Sequence, residues 1–181
     1  TMTKLFGPTF GANQFVMVGE VGFTHVHSMP SKSSMRLESA GTYVTGNPTQ
    51  AWGAFGDDPD NTDPEGKPRG GVHAYKPAEN SDAFADADSW GYRAVAKLDY
   101  NNAIGAVTLS PRIAWSHDVD GNTPGPGGSF IEDRKAITFG LGASYQSTWS
   151  GDLSYTNYFG ANRYNLLNDR DFVAFNIKYS F

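Results

Sequence analysis

Residues 90–100 read WGYRAVAKLDY. Trp90, Tyr92, Ala94, Ala96, Leu98 and Tyr100 fall on one set of alternate positions, and Arg93, Lys97 and Asp99 fall on the other. A period of two is the signature of a strand with one greasy and one wet face. The stretch is longer than the roughly 5–6 residues usual in soluble sheets. It matches the roughly 9–11 residues of a tilted transmembrane strand.

The same pattern recurs along the chain. NQFVMVGEVGFTH (13–25) sets Phe15, Met17, Val21 and Phe23 against Glu20 and Thr24. VTLSPRIAWSH (107–117) sets Val107, Leu109, Ile113 and Trp115 against Ser110, Arg112 and Ser116. AITFGLGASYQ (136–146) and GDLSYTNYF (151–159) alternate in the same way, the second with Asp152 on its polar side. FVAFNIKYSF (172–181) ends the chain on its apolar face, with Val173, Phe175, Ile177, Tyr179 and Phe181 opposite Asn176, Lys178 and Ser180. Helical periodicity is almost absent. The predicted strands are 1–6 (partial), 13–27, 89–101, 105–119, 135–147, 150–160 and 170–181.

Composition narrows the class. The 181 residues carry a net charge of −5 and no basic stripe, which argues against a nucleic-acid partner. There is no cysteine, so disulfides and thiolate metal sites are excluded. No apolar run approaches the roughly 18 residues of a spanning helix. The 21 glycines and 14% aromatic residues suit a membrane β-barrel, whose strands are only half apolar. Aromatic residues gather near strand ends, where interfacial girdles belong. The opening TMTKLFGPTF lacks the charged and apolar regions of a secretory signal, so either a leader has been removed or the natural chain begins earlier.

Connections alternate between short turns, at 99–106 and 147–152, and long segments, at 28–88, 118–135 and 160–170. Tight periplasmic turns and extended outer loops give this pattern. The expectation is therefore an all-β, antiparallel transmembrane β-barrel of the bacterial outer membrane, with 1–181 as one barrel portion and 28–88 as an outer loop, lid or plug. Six complete strands and a stub are fewer than the even number, eight or more, of single-chain bacterial barrels. The chain then reads as the C-terminal strands of a larger barrel, the others lying upstream or on another chain. The alternative is a small barrel in which 28–88 hides extra strands, with SMRLESAGTYVTG (34–46) able to supply one or two.

Two resemblances add to this. The terminal strand, with Phe175, Ile177, Tyr179 and Phe181, resembles the C-terminal signal that the barrel assembly machinery reads. The stretches TKLFGPTFGANQ, LSPRIAWSHDVDGNTPGPGGSFIEDRKAITFGLGASY and LSYTNYFGANRYNLLNDRDFVAFNIKYSF together resemble the C-terminal third of a family of proteobacterial outer-membrane proteins of unknown function. The match covers most of 1–27 and 89–181. The resemblance implies a context like that of the fatty-acid porins, with a periplasmic partner and an RND-type transporter nearby. It also implies surroundings of outer-membrane lipid and lipopolysaccharide. It implies traffic in lipid-like molecules and brings no catalytic motif.

The candidate functional residues follow from the faces. Glu20, Arg93, Lys97, Asp99, Arg112, Asp152 and Lys178 lie on the polar side and would face a lumen, either as paired charges or as a substrate path. Asp57, Asp58, Asp60, Asp63 and Glu65 crowd into nine residues and can hold Ca²⁺. Their spacing is not that of an EF-hand, and a solvated, turn-rich loop is the plainer reading. Trp52, Phe55, Tyr75 and Phe84 would give 28–88 an apolar surface. His25, His27 and His117 sit at strand ends, where rim hydrogen bonds are the simpler role and a transition-metal site the sharper one. Catalysis is not expected. Ser116 and His117 are adjacent on a strand and so point to opposite faces, and there is no nucleophile elbow. The expected function is passage or handover of hydrophobic or amphipathic molecules. An anchoring barrel of an envelope complex and an outer-membrane hydrolase are the alternatives.

Overall fold

A computed structural model of the chain describes residues 1–42 and 79–181. Its strands are β1 (Met2–Phe6), β2 (Gln14–His25), β3 (Asp88–Ile104), β4 (Val107–Asp120), β5 (Lys135–Tyr145), β6 (Trp149–Phe159) and β7 (Phe172–Tyr179). They form one all-antiparallel sheet in sequence order, β1 to β7. The sheet is not closed, since β1 and β7 each have a neighbour on one side only. The helical elements among the described residues are 3₁₀ turns at Ser81–Ala83 and Asn162–Tyr164. No described helix is long and apolar enough to cross a membrane, which leaves strands untouched by that test.

The strands are long because alternation is sustained. β3 has 17 residues, β4 has 14, and β5 and β6 have 11 each. β3 runs on to Ile104, past the last regular alternation at Tyr100, because the ladder with β4 shifts between Tyr100 and Ile104. Asn102 takes a positive φ of 53° inside that irregularity. Tight connections join β3 to β4, where Gly105 sits at φ +59°, and β5 to β6, where Gln146 and Ser147 have positive φ. At the other end of the strands the connections are residues 26–87, 121–134 and 160–171.

Register turns the alternation into two faces. Ile113 pairs with Phe139, Phe139 with Tyr155, and Tyr155 with Val173. The next row on the same side joins Leu141, Leu153 and Phe175. A one-residue slip in any strand would send its whole apolar set to the other side. The intervening rows carry small and polar residues. Arg112 pairs with Gly140, Gly140 with Ser154, and Ser154 with Ala174, while Ala114, Thr138 and Thr156 form the next such row, which ends in the apolar Phe172 on β7.

The apolar face is exposed. Phe175 is 69% exposed and Ile177 65%, and Met17, Val21, Phe23, Phe139, Leu141 and Leu153 are also exposed. A soluble sheet would bury this side. Aromatic residues mark the ends of that face. Near the tight turns, Trp149 lies 4.7 Å from Tyr179, and Phe6 stacks on Phe15 at 5.0 Å. Near the long connections, Trp115 lies 5.8 Å from Phe159, and its indole N–H donates to the Tyr92 hydroxyl at 3.2 Å.

The chain divides into two compact units. One comprises residues 1–23, 90–120 and 132–181, which hold most of the sheet. The other comprises residues 24–89 and 121–131, and there the described parts of the long 28–88 segment form a small core. Ala83, Phe84, Ala85 and Ile131 are buried in it. Ser39 and Thr42 hydroxyls both donate to the Ala83 carbonyl, at 2.8 and 3.0 Å. The Ala85 N–H donates to Leu37 O at 2.9 Å, and the Gly125 N–H to Glu38 O at 2.8 Å. Asn122 donates from its side chain to Asp82 O at 2.9 Å, and Lys32 pairs with Asp86 at 2.7 Å. Part of 34–46 was a candidate strand. The described residues 34–42 instead form a turn and an isolated bridge between Ser39 and Pro124.

Phe84, only 3% exposed, is the largest apolar side chain in this small core. Phe84→Ala is expected to cost about 3–5 kcal/mol locally. Limited proteolysis should then cut within residues 79–88 and 121–131 while the strands stay protected.

Candidate functional site

The polar face of the sheet gathers the charges that the sequence singles out. Arg112, on β4, reaches across β5 to Asp152 on β6. Its Nη2 donates to Asp152 Oδ1 at 2.8 Å, and its Nη1 contacts Asp152 Oδ2, making the pair bidentate. This reach requires an empty position on the strand between them. A Cβ added at Gly140 would lie 2.5 Å from Arg112 Cζ, and one at Gly142 would lie 3.7 Å from Asp152 Oδ2. The two glycines of FGLGA thus form a saddle under the guanidinium. A bidentate Arg–carboxylate pair fixes orientation as well as energy.

Beside this bridge, Lys97 pairs in register with Arg112. Lys97 Nζ lies 2.8 Å from Asp99 Oδ1, and the Ser110 hydroxyl donates to the same oxygen at 2.5 Å. Two cations and two anions thus cluster here with no net excess, Lys97 and Arg112 side by side in register and each holding its own carboxylate. The Thr138 and Thr156 hydroxyls share a hydrogen bond of 2.8 Å in the adjoining row. The structure thus brings four of the seven residues together: Lys97, Asp99, Arg112 and Asp152. The other three are dispersed. Glu20 accepts from the Thr1 hydroxyl at 2.8 Å. Arg93 pairs in register with Ser116, and Lys178 with Ser150. Among the described residues, the side chains of Arg93 and Lys178 have no hydrogen-bond or ion-pair partner.

The terminal apolar residues Phe175, Ile177, Tyr179 and Phe181 all lie exposed along and just beyond β7. The acidic group Asp57, Asp58, Asp60, Asp63 and Glu65 lies outside the described residues, as do Trp52, Phe55 and Tyr75. Among the described residues no three His, Asp or Glu side chains are placed to hold a metal ion. His25 Nδ1 lies 2.8 Å from Asp88 Oδ1, and its ring is 6.3 Å from that of His27. His117 places its ring 5.6 Å from Tyr92 and 6.3 Å from Trp115, on the apolar side. Ser116 pairs with Arg93 and Ala136 on the polar side.

Sequence reasoning missed the clasps at the ends of the long connections. Buried Asp118 accepts from Arg134 Nε at 2.8 Å, across the base of the 121–134 connection. The Lys135 ammonium beside Asp133, helped by the Ala161 backbone N–H, holds that carboxyl below the usual carboxylate range. Asp171 accepts from the Tyr158 backbone N–H at 2.9 Å, from Asn157 Nδ2 at 2.5 Å and from the Tyr155 hydroxyl at 3.2 Å. The Tyr158 N–H and the Asn157 amide hold its carboxyl low as well. An acidic residue just before or after a long connection was the available signal.

The apolar face carries a shallow cavity of about 240 Å³, lined by Met2, Lys4, Phe6, Met17, Gly19 and Ala94. Taken together, fold and site define a class: an all-β antiparallel sheet with one exposed apolar face and one polar, charge-paired face. Within that class the chain belongs to the family described as "Protein of unknown function (DUF1302)", which matches residues 1–181. Comparison with curated proteins and with solved structures gives no match.

Two outcomes are expected. Gly140→Leu should displace the Arg112 guanidinium and cost roughly 1.5–3 kcal/mol, as lost hydrogen bonds to a charged group do. Asp152→Asn in that background should then add little, which a double-mutant cycle of denaturation midpoints measures. For Asp171 the lowered carboxyl pKa means its bonds stabilise the fold above the ordinary value of roughly 3.9 and are lost as pH falls below it. The Tyr158 amide proton shift should titrate with a midpoint under that value, and the titration should vanish in Asp171→Asn.

Proposed function

We propose that this sheet is part of the wall of an outer-membrane β-barrel, and that its polar face lines a route for hydrophobic or amphipathic, lipid-like molecules. One observation carries the reading: apolar side chains from neighbouring strands fall in register on one exposed face, which also carries Lys4 and Lys135, and Lys97, Asp99, Arg112, Asp152 and Lys178 fall on the other. In water such a face would be a liability far beyond the few hundred Å² that monomers usually expose. Against lipid it is the stable arrangement, because charges near the midplane of the lipid face cost about 2–4 kcal/mol. A strand of 11 residues, such as β5, at about 3.3 Å per residue and a tilt of about 40°, rises roughly 28 Å, close to the apolar band of such barrels. The aromatic clusters at both strand ends fit interfacial girdles.

The lipid-like cargo and a role beside a periplasmic partner and an RND-type transporter rest on the family resemblance. The polar face supports hydration of a route, and the cations at Arg93 and Lys178 suit an anionic head group. The mutual pairing of Lys97, Asp99, Arg112 and Asp152 favours a second reading for the centre of the face, that of a braced structural wall anchoring an envelope complex.

Two measurements separate these. Leu141→Arg, on the apolar face, should block insertion into lipid vesicles, whereas Thr138→Arg, on the polar face, should insert normally. In vesicles holding the wild-type protein, transfer of a fluorescent fatty acid should exceed that of empty vesicles, and Arg93→Ala/Lys178→Ala should slow it. Transfer equal to that of empty vesicles would leave the anchoring reading.

A further inference from the structure

Lys4 and Lys135 both stand on the apolar face, and their surroundings differ. Lys135, in register with Phe159 near the long connections, pairs with Asp133. Lys4 lies toward the other end, in register with Met17. Among the described residues its ammonium has no hydrogen-bond or ion-pair partner. It lies over the Phe6 ring instead, 4.8 Å from the centroid.

Phe6 belongs to an aromatic ledge at the tight-turn end. It stacks on Phe15 at 5.0 Å, and Phe10 meets Phe15 edge-on at 6.1 Å. The Tyr100 hydroxyl donates to Phe10 O at 3.1 Å and ties that ledge to β3. Lys4 is two residues from Phe6, roughly 7 Å along the strand. The cost of a lysine on a lipid-facing surface falls steeply from the midplane to the interface. By lying over Phe6, the ammonium leans toward the interface.

On the other side of Lys4 the face dips into the cavity of about 240 Å³. Met2 and Met17 wall it, and Gly19 and Ala94 leave it open. Met2 and Gly19 are register partners, so one member of that pair has no side chain. A Cβ added at Gly19 would meet no atom within 4 Å. The cavity is therefore a trough left by small residues, with a cation at one end and apolar walls along the rest.

We propose that this trough binds one anionic phospholipid, its phosphate on the Lys4 ammonium and the start of an acyl chain along Met17 and Gly19. The site rests on the membrane reading above, which puts this face in lipid. Charge selects the occupant. The ammonium lacks a protein anion, and a phosphodiester supplies one. None of the residues lining the trough is acidic, so the ammonium of a zwitterionic head group would find no acceptor there. Depth selects it too. Tight turns of such barrels face the periplasm, the side on which the outer membrane presents phospholipid rather than lipopolysaccharide.

The chain has no cysteine, so a single introduced one can carry a fluorophore. Val21→Cys places it on the same face, one step beyond Gly19, and Leu141→Cys places it on β5 as a control. In phosphatidylcholine vesicles, nitroxide-labelled phosphatidylglycerol should quench the Val21 probe about fivefold more efficiently than nitroxide-labelled phosphatidylcholine, the weight of one lysine against an anionic lipid. The two lipids should quench the Leu141 probe equally. Lys4→Gln should remove the excess at Val21, and Lys4→Arg should keep it. Gly19→Leu, which fills the trough, should remove it while quenching at Leu141 stays as before. Equal quenching by the two lipids at Val21, an excess that survives Lys4→Gln or Gly19→Leu, or the same excess at Leu141 would each overturn the proposal. If neither lipid quenches either probe, the membrane reading fails. Short-chain phosphatidylglycerol and phosphatidylcholine titrated into the detergent-held protein then decide the site by the same Lys4→Gln difference.

Discussion

The structure depends on one constraint: backbone hydrogen bonds must be satisfied while a whole face of the sheet stays apolar and exposed. A helix meets that demand within itself. A strand meets it only through its neighbours, so register becomes the decisive quantity. Ile113, Phe139, Tyr155 and Val173 share a row because every ladder from β4 to β7 keeps step. Among the described residues, the burial that stabilises a soluble protein is confined to small clusters, such as that around Phe84 and Ile131. The strands rely instead on long ladders, with Phe175 and Ile177 left exposed.

The same register arranges the polar face. Charges that are scattered in sequence become neighbours across strands, and glycine decides which can meet. Arg112 reaches Asp152 because Gly140 leaves its path empty. This pair joins β4 to β6 over the top of β5, a tie that backbone bonds between adjacent strands cannot supply. Bracing the sheet and lining a hydrated route, the two roles proposed above, are compatible for this cluster of balanced charge. Arg93, in register with Ser116 on β4, and Lys178, in register with Ser150 on β6, are cations of this face whose side chains are able to meet something else.

Much of this was legible in the sequence, for a physical reason. Alternation is a local property, and β4, β5 and β6 carry it over their whole lengths, so their existence and their two faces could be read from one segment at a time. The glycines of FGLGA could be read as marks of a crowded strand face. The bulge after Tyr100 could not, because it arises from the ladder with β4 rather than from residues 101–104 themselves. The pairing of Arg112 with Asp152, forty positions apart, needed register before it could be seen. So did the clasps at Asp118 and Asp171, whose partners belong to other strands or to backbone N–H groups. The small core around Phe84 was illegible because its members, Ala83, Ala85 and Ile131, show no period and come from two separate connections.

The central claim is that the apolar face meets lipid and the other face meets water. Single cysteines along β5 test it most directly, with the protein in lipid vesicles. Substitutions at Ile137, Phe139 and Leu141, tagged with a fluorophore, should be quenched by nitroxides on the lipid chains and should resist a water-soluble maleimide. Those at Thr138 and Ser144 should react with the maleimide and escape the quencher. Alternation of this kind along the strand is the result the account predicts. Equal access of the water-soluble reagent to both sets would contradict it.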